Sequence, residues 1–334
     1  MIPKNLKLND EDKKFFHQQS DLYAYWHTGF AFCILLGILL ALKLTPHLVT
    51  YIICFILSGA LGHRISIILH ECIHYTFFKS KKTNEWIGKI SAYTIFWTWR
   101  YRIIHFHHHG HLGEHDDPDL QNYINYPSNL SYFLSDVLLN FSGIAAAKQF
   151  FAQTLKFRSE DKKKNKGFQH GDNRSSKSKK VSNEFLFLLI VQITLAGSFT
   201  FLAGNIIYYF IFWIIPLITI SKSLAHFRNM AEHVKIRDED DPELSRLRTI
   251  HCSFWEAFFF APLNFNYHAD HHLYPAIPFW QLPAAHNELV KLRSYHDNVE
   301  IVHGGYLMFI FKYIIYKSTL PGKKQPFDKT QETV

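Results

Sequence analysis

Residues 48–74 read LVTYIICFILSGALGHRISIILHECIH, and the two ends of that stretch decide different things. From about Leu48 to Leu69 it is an apolar block of about 20 residues, long enough as a helix to cross roughly 30 Å of hydrocarbon at about 1.5 Å per residue. Its last five residues, His70-Glu71-Cys72-Ile73-His74, put two imidazoles one helical turn apart on the same face. A helix entering the bilayer near Leu48 leaves it near Ile67, so both histidines fall about one turn past the boundary.

Three more apolar blocks share that length, at about 23–44, 185–203 and 206–224. Pro46 and His47 separate the first pair, and only Gly204 and Asn205 separate the second. An all-helical membrane protein with four spanning helices in two hairpins is therefore expected, with Pro216 kinking the fourth. Residues 1–22 are polar and charged and do not begin like a secretory signal peptide. Residues 23–303 read as one membrane domain, and 304–334 as an amphipathic segment with a polar tail. Residues 155–182 are rich in Lys, Ser, Asn and Asp, a composition expected of a flexible basic loop. Aromatic amphipathic stretches near 86–99, 132–151 and 306–316 are expected to lie along the bilayer surface.

Bulk composition hides this plan. The mean hydropathy of −0.08 averages apolar blocks against polar loops, whereas the 31 Phe, 17 Tyr and 7 Trp fit aromatic belts at a membrane interface. The net charge of +8 gathers in Lys79–Lys82 and in 156–180, with no aromatic-interleaved basic groove for nucleic acid. Positive loops on one side and nearly uncharged hairpin tips place both tips away from the cytoplasm. Four cysteines without paired spacing indicate neither a disulfide framework nor a metal knuckle, and Cys72 reads as a packing residue.

Two further clusters complete the pattern: His105-Phe106-His107-His108-His109 and His268-Ala269-Asp270-His271-His272. Both read H-x-x-H-H, so each offers imidazoles at i, i+3 and i+4. With His70 and His74 this makes eight nitrogen donors, too many for one tetrahedral zinc. The count points to two metal ions sharing a site, and the topology brings all the boxes to the cytoplasmic face. His107 and His111 fall on another helix face. The acidic run Glu114, Asp116, Asp117 and Asp119 can orient ligands by accepting their second ring N–H, or serve as a solvated turn.

These boxes, with Trp99 and Arg102 before the second and Asp117-Pro118-Asp119 after it, carry a resemblance. So do Arg228-Asn229-Met230-Ala231-Glu232-His233 and Asn266-Tyr267-His268, followed by Pro275, Pro278 and Leu282-Pro283-x-x-His286. From about residue 25 to about 300 the chain resembles the integral-membrane fatty acid desaturase and hydroxylase superfamily. The resemblance implies a non-haem centre of two iron ions held by His70, His74, His105, His108, His109, His268, His271 and His272. It implies one further ligand, His233 or, as runner-up, His226. Glu232, Asp119, Asn264 and Asn266 are candidates to support the ligands. The implied activity is O2-dependent desaturation of a lipid acyl chain with an external electron donor of ferredoxin, rubredoxin or cytochrome b5 type. No His-Pro-Gly-Gly haem element marks a fused donor domain.

Other readings stay open at this point. A fatty acid or alkane hydroxylase, or a carotenoid ketolase or hydroxylase, would use the same site. His70-Glu71-x-x-His74 also satisfies the zinc-protease signature, but that reading leaves both H-x-x-H-H boxes without a role. A non-enzymatic metal or lipid carrier would keep the histidines without needing O2.

Overall fold

The computed structural model of the chain describes residues 7–148, 174–235 and 246–315, apart from the side chains of 174–182. Most of the basic loop, with Lys162 to Lys164, and the tail beyond 315 lie outside these residues, as do 149–151 of the second interfacial stretch.

The expected helices form, and several run longer than their apolar blocks. Helix α1 is Asp10–Phe16, α2 is Asp21–Leu44 and α3 is Leu48–His74. Helix α4 spans Lys81–Thr94, α5 Tyr101–Gly110 and α6 Leu130–Phe141. Helix α7, Arg174–Ser198, continues through a π turn to Ala203, so the last nine residues of the predicted loop are helical. Gly204 then turns the chain at φ 91°, where a Cβ would be strained. Helix α8 runs Ile207–His233, nine residues beyond its apolar block, and so delivers the whole R-x-x-x-E-H element in helical form. Pro216 lacks an amide hydrogen, and the helix widens into π turns on either side of it, Phe210–Ile214 and Leu217–Ser221. Among the described residues four helical stretches are thus long and apolar enough to cross a membrane: α2 with the short α1 before it, α3, 183–203 and α8.

Helix α3 is the central one: 61% of its most apolar window is buried, against 11% for 183–203. It packs on α2, α4 and α8. Its crossing with α8 is close because Gly59 and Gly62 face Ile220, Leu217 and Ser221. A Cβ at Gly59 would stand 2.4 Å from the Ile220 Cβ, and one at Gly62 2.3 Å from Leu217 Cδ2. Small residues let the two backbones approach as they do in membrane helix pairs. On another face of α3, Cys72 is buried against Gly88 of α4, in the packing role its sequence context indicates.

At 27 residues α3 is about 40 Å long, about 10 Å more than the hydrocarbon needs. The surplus carries the first box. Tyr75 stops the helix in a left-handed conformation at φ 60°. Beside this end lies a cap built from α5, α9 (Phe254–Phe259), α10 (His268–Leu273), α11 (Leu282–Leu289), α12 (Arg293–Asn298) and α13 (Gly305–Ile315). Among the described residues, the cap departs from an all-helical plan through one two-stranded parallel sheet, β1 (Arg248–His251) with β2 (Glu300–His303). Arg248 pairs in register with Glu300, and its buried Nε donates to that carboxylate at 2.6 Å. The same guanidinium donates to the carbonyls of Ala231 and Val234, capping the end of α8 next to His233.

Candidate metal centre

Four elements bring their histidines together: the last turn of α3, α5, the last turn of α8 and α10. His70, His74, His105, His109 and His271 form one group whose facing ring nitrogens all lie within 4.8 Å of one another. His108, His233 and His272 form a second, and His233 also belongs with His268 and Glu232. The two sets adjoin where the rings of His109 and His272 stack at 4.1 Å. All nine predicted histidines are in these groups. His226 is not: its Nε2 meets Asp136 at 2.7 Å, on the side of α6. The rings of His107 and His111 meet each other at 4.1 Å, tilted by 33°, outside the groups.

Several nitrogens face each other at ligand-to-ligand range. The Nε2 atoms of His74 and His105 are 2.8 Å apart, those of His105 and His109 3.0 Å, and those of His233 and His268 2.9 Å. His70, His271 and His272 each hold a buried Nε2 with no hydrogen-bond partner. Buried polar atoms are rarely left orphaned in native proteins, and a cation among these lone pairs would satisfy them. Two imidazoles on one metal at about 2.0–2.1 Å are separated by about 2.9 Å at a right angle and about 3.4 Å at the tetrahedral angle. The observed spacings match the first. The donor set therefore fits metal, in a coordination richer than that of structural zinc.

Burial sets the protonation state. It pushes the His109 ring down to about 2, with the charges of His74 and His108 adding to the effect. Burial likewise holds His105, His268, His271 and His272 well below the usual imidazole range. Neutral rings keep the lone pairs that metal binding requires.

Carboxylates behind the rings fix their orientation. His108 Nδ1 donates to Asp117 at 2.8 Å, while Asp119 stands at 3.9 Å and accepts instead from Asn229. Asp117 also accepts from Tyr123 and from the backbone of Gly113. Burial alone would raise its carboxyl, but these bonds, led by His108, hold it well below the ordinary range. His70 Nδ1 donates to Glu71 at 3.1 Å, and Thr76 donates to the other oxygen at 2.8 Å. Glu71 thus lies behind its histidine, not facing the shared space as a protease base must. Glu232 accepts from Tyr306 at 2.8 Å, and its second oxygen is 3.6 Å from His268 Nδ1. Asp270, inside the third box, receives His286, Tyr295 and Thr249 and anchors α10 from beneath.

The predicted supporting residues divide accordingly. Glu232 is at the site. Asp119 is displaced from His108 by Asp117, because the turn after α5 folds Asp117 inward. The amides of Asn264 and Asn266 donate to the carbonyls of Phe279 and Ile250, bracing the loop before α10 rather than facing a ring. Sequence reading missed Tyr123, Tyr306, Tyr295 and Arg248, since no spacing rule ties a distant tyrosine or arginine to a histidine box.

Membrane-length helices beneath a cap of converging histidine boxes define the class of histidine-box membrane proteins. The family model described as fatty acid desaturase matches residues 46–303, and the chain belongs to that family. It is 28% identical over 246 residues to the dihydrorhizobitoxine desaturase of Bradyrhizobium elkanii, a match covering 70% of this chain and 66%, just under two thirds, of that relative.

Proposed function

We propose that the protein is an O2-dependent desaturase that removes two hydrogens from a lipid acyl chain at a centre of two iron ions. The observation that carries this reading is the convergence of nine buried or partly buried imidazoles, three pairs of which face each other with nitrogens 2.8–3.0 Å apart. His70, His74, His105, His109 and His271 would hold one ion, and His108, His233, His268 and His272 the other. An unactivated C–H bond offers nothing for a side-chain acid or base to grip, so the bound metal would supply the oxidising power from O2 and electrons.

The chain's own residues do the rest. Asp117, Glu71 and Glu232 hold ring orientations. Tyr123 and Tyr306 hold the carboxylates in turn. The burial of the cluster excludes bulk water from the reacting face. Electrons would come from an external ferredoxin, rubredoxin or cytochrome b5 type donor, docked on a cytoplasmic face whose basic character suits an acidic partner. The membrane orientation belongs to the proposal and rests on the lysine distribution.

The test is reductant-dependent O2 uptake by the purified protein with mass analysis of the acyl product. A product two hydrogens lighter supports desaturation. A gain of one oxygen would instead assign hydroxylation to the same centre. No O2 uptake with any reductant would overturn both.

A further inference from the structure

Helix α9 belongs to the cap, yet it is fastened to the spanning part of α3. The Phe260 carbonyl, just past its last turn, accepts from His63 Nε2 at 2.8 Å. The Phe258 ring lies 5.6 Å from the Arg64 guanidinium, which also stands 5.0 Å from the Phe30 ring of α2. His63 and Arg64 precede Ile67, the expected exit of α3 from the hydrocarbon, by three to four residues, or about 5 Å along the axis. These contacts hold α9 at the level where hydrocarbon gives way to head groups.

At that level α9 turns its bulkiest side chains outward. Phe254 is 74% and Trp255 69% exposed, and no residue of the helix is buried. Its one ionisable residue, Glu256, faces the protein instead: it closes a capping box with Ser253 and accepts from the Leu307 amide at 3.1 Å. Gly305 leaves room for that carboxylate, because a Cβ there would collide with it. The bond ties α9 to α13, where Leu307 and Phe311, one helical turn apart, are also exposed. Single apolar residues on a surface need no explanation, but four large ones on two joined helices mark an interaction site. The charge-free outer face of α9 suits lipid, and tryptophan favours the head-group level of a bilayer. The patch also continues a lipid-facing surface, since Phe30 on spanning helix α2 is exposed and meets Phe258 across Arg64.

We propose that α9 and the start of α13 form a membrane-inserted foot of the cap. Phe254, Trp255, Leu307 and Phe311 enter the head-group and upper acyl region of the leaflet from which the first box emerges, and their partner is the bilayer itself. The foot fixes the height of the third box above the membrane, because α9 lies between β1 and α10 in the chain. The sequence pattern marked 306–316 for the bilayer surface, but six residues of α9 are too few to show a period. The inference rests on α3 crossing the membrane and not on the desaturase reading.

Tryptophan fluorescence of the full-length protein in phosphatidylcholine nanodiscs tests the foot without metal or turnover. Trp255 is one of 7 tryptophans, so its signal is the difference between the wild type and Trp255→Phe. The quenchers are lipid brominated near the head group, lipid brominated near the chain end, and iodide in the water. The Trp255 component should be quenched by the shallow bromine, less by the deep one, and spared by iodide. Leu307→Trp, made on the Trp255→Phe background, should add a component with the same profile. Quenching by iodide places the patch in water and overturns the proposal. A component that neither bromine nor iodide reaches is covered by protein, whether a second copy or another part of this chain, and overturns it too. Stronger quenching by the deep bromine overturns the interfacial placement. Iron content and O2 uptake are read separately, so a failed desaturase reading leaves the foot standing, and the converse holds.

Discussion

Substituting Gly59 by alanine tests whether the α3–α8 crossing sets the spacing of the metal ligands. The new Cβ would stand 2.4 Å from Ile220 Cβ, 2.5 Å from Ile220 Cγ2 and 3.4 Å from the Pro216 carbonyl. The obstructing atoms sit at the root of a β-branched side chain, so rotamer change gives little relief and α8 must retreat by about 1 Å. Overpacking of this kind costs about 1–3 kcal/mol. Gly37 of α2 is the control, because a Cβ there meets nothing within 4 Å. Both changes gain the same helix propensity, up to about 1 kcal/mol, so their difference isolates the crossing. The movement reaches the centre because α3 ends in His70 and His74 and α8 ends in His233. Gly59→Ala should lower the melting temperature relative to Gly37→Ala and reduce metal retained after a chelator wash. If the two variants melt together and hold equal metal, the crossing does not position the ligands.

Asp117→Asn removes the negative charge that faces His108 at 2.8 Å and turns one of the two acceptor oxygens into a donor, and should weaken metal retention by about 10–100-fold, whereas Asp119→Asn should change it little. Equal losses in a chelator competition would contradict that assignment. His109→Ala should empty part of the centre while His107→Ala stays close to wild type, measured as metal per chain; matching losses would mean the second box faces the site differently. Acid should release metal. The His109 ring, held down to about 2 by burial, stays neutral in the fold, while the freed ring titrates near the ordinary imidazole value of about 6.5. Stability from that neutral ring is therefore complete above about 6.5 and is lost as pH falls toward the folded value. Metal retention unchanged between about pH 8 and about pH 5 would refute this.

Much of the fold was legible because the bilayer makes the code simple. A run such as Leu48 to Leu69 has few alternatives to a spanning helix, and histidines at i, i+3 and i+4 have one geometry once the helix is granted. Eight candidate histidines were read that way, and the ninth, His233, was preferred to His226 only by resemblance. The structure supplies a physical ground for that choice: seven residues apart on α8, the two point to different neighbours, the box histidines and Asp136. Asp117 over Asp119 was not legible, because a turn's fold decides which of two carboxylates points inward. The β1–β2 pair escaped notice too. Four-residue strands far apart in sequence show no period long enough to read, and their pairing depends on the buried Arg248–Glu300 contact.

The central claim is that the converging histidines hold two irons. Metal analysis of the purified chain, with Mössbauer spectroscopy after growth on iron-57, addresses it most directly. The account predicts about two irons per chain, magnetically coupled, in a nitrogen-rich coordination. One zinc per chain and no iron would contradict it.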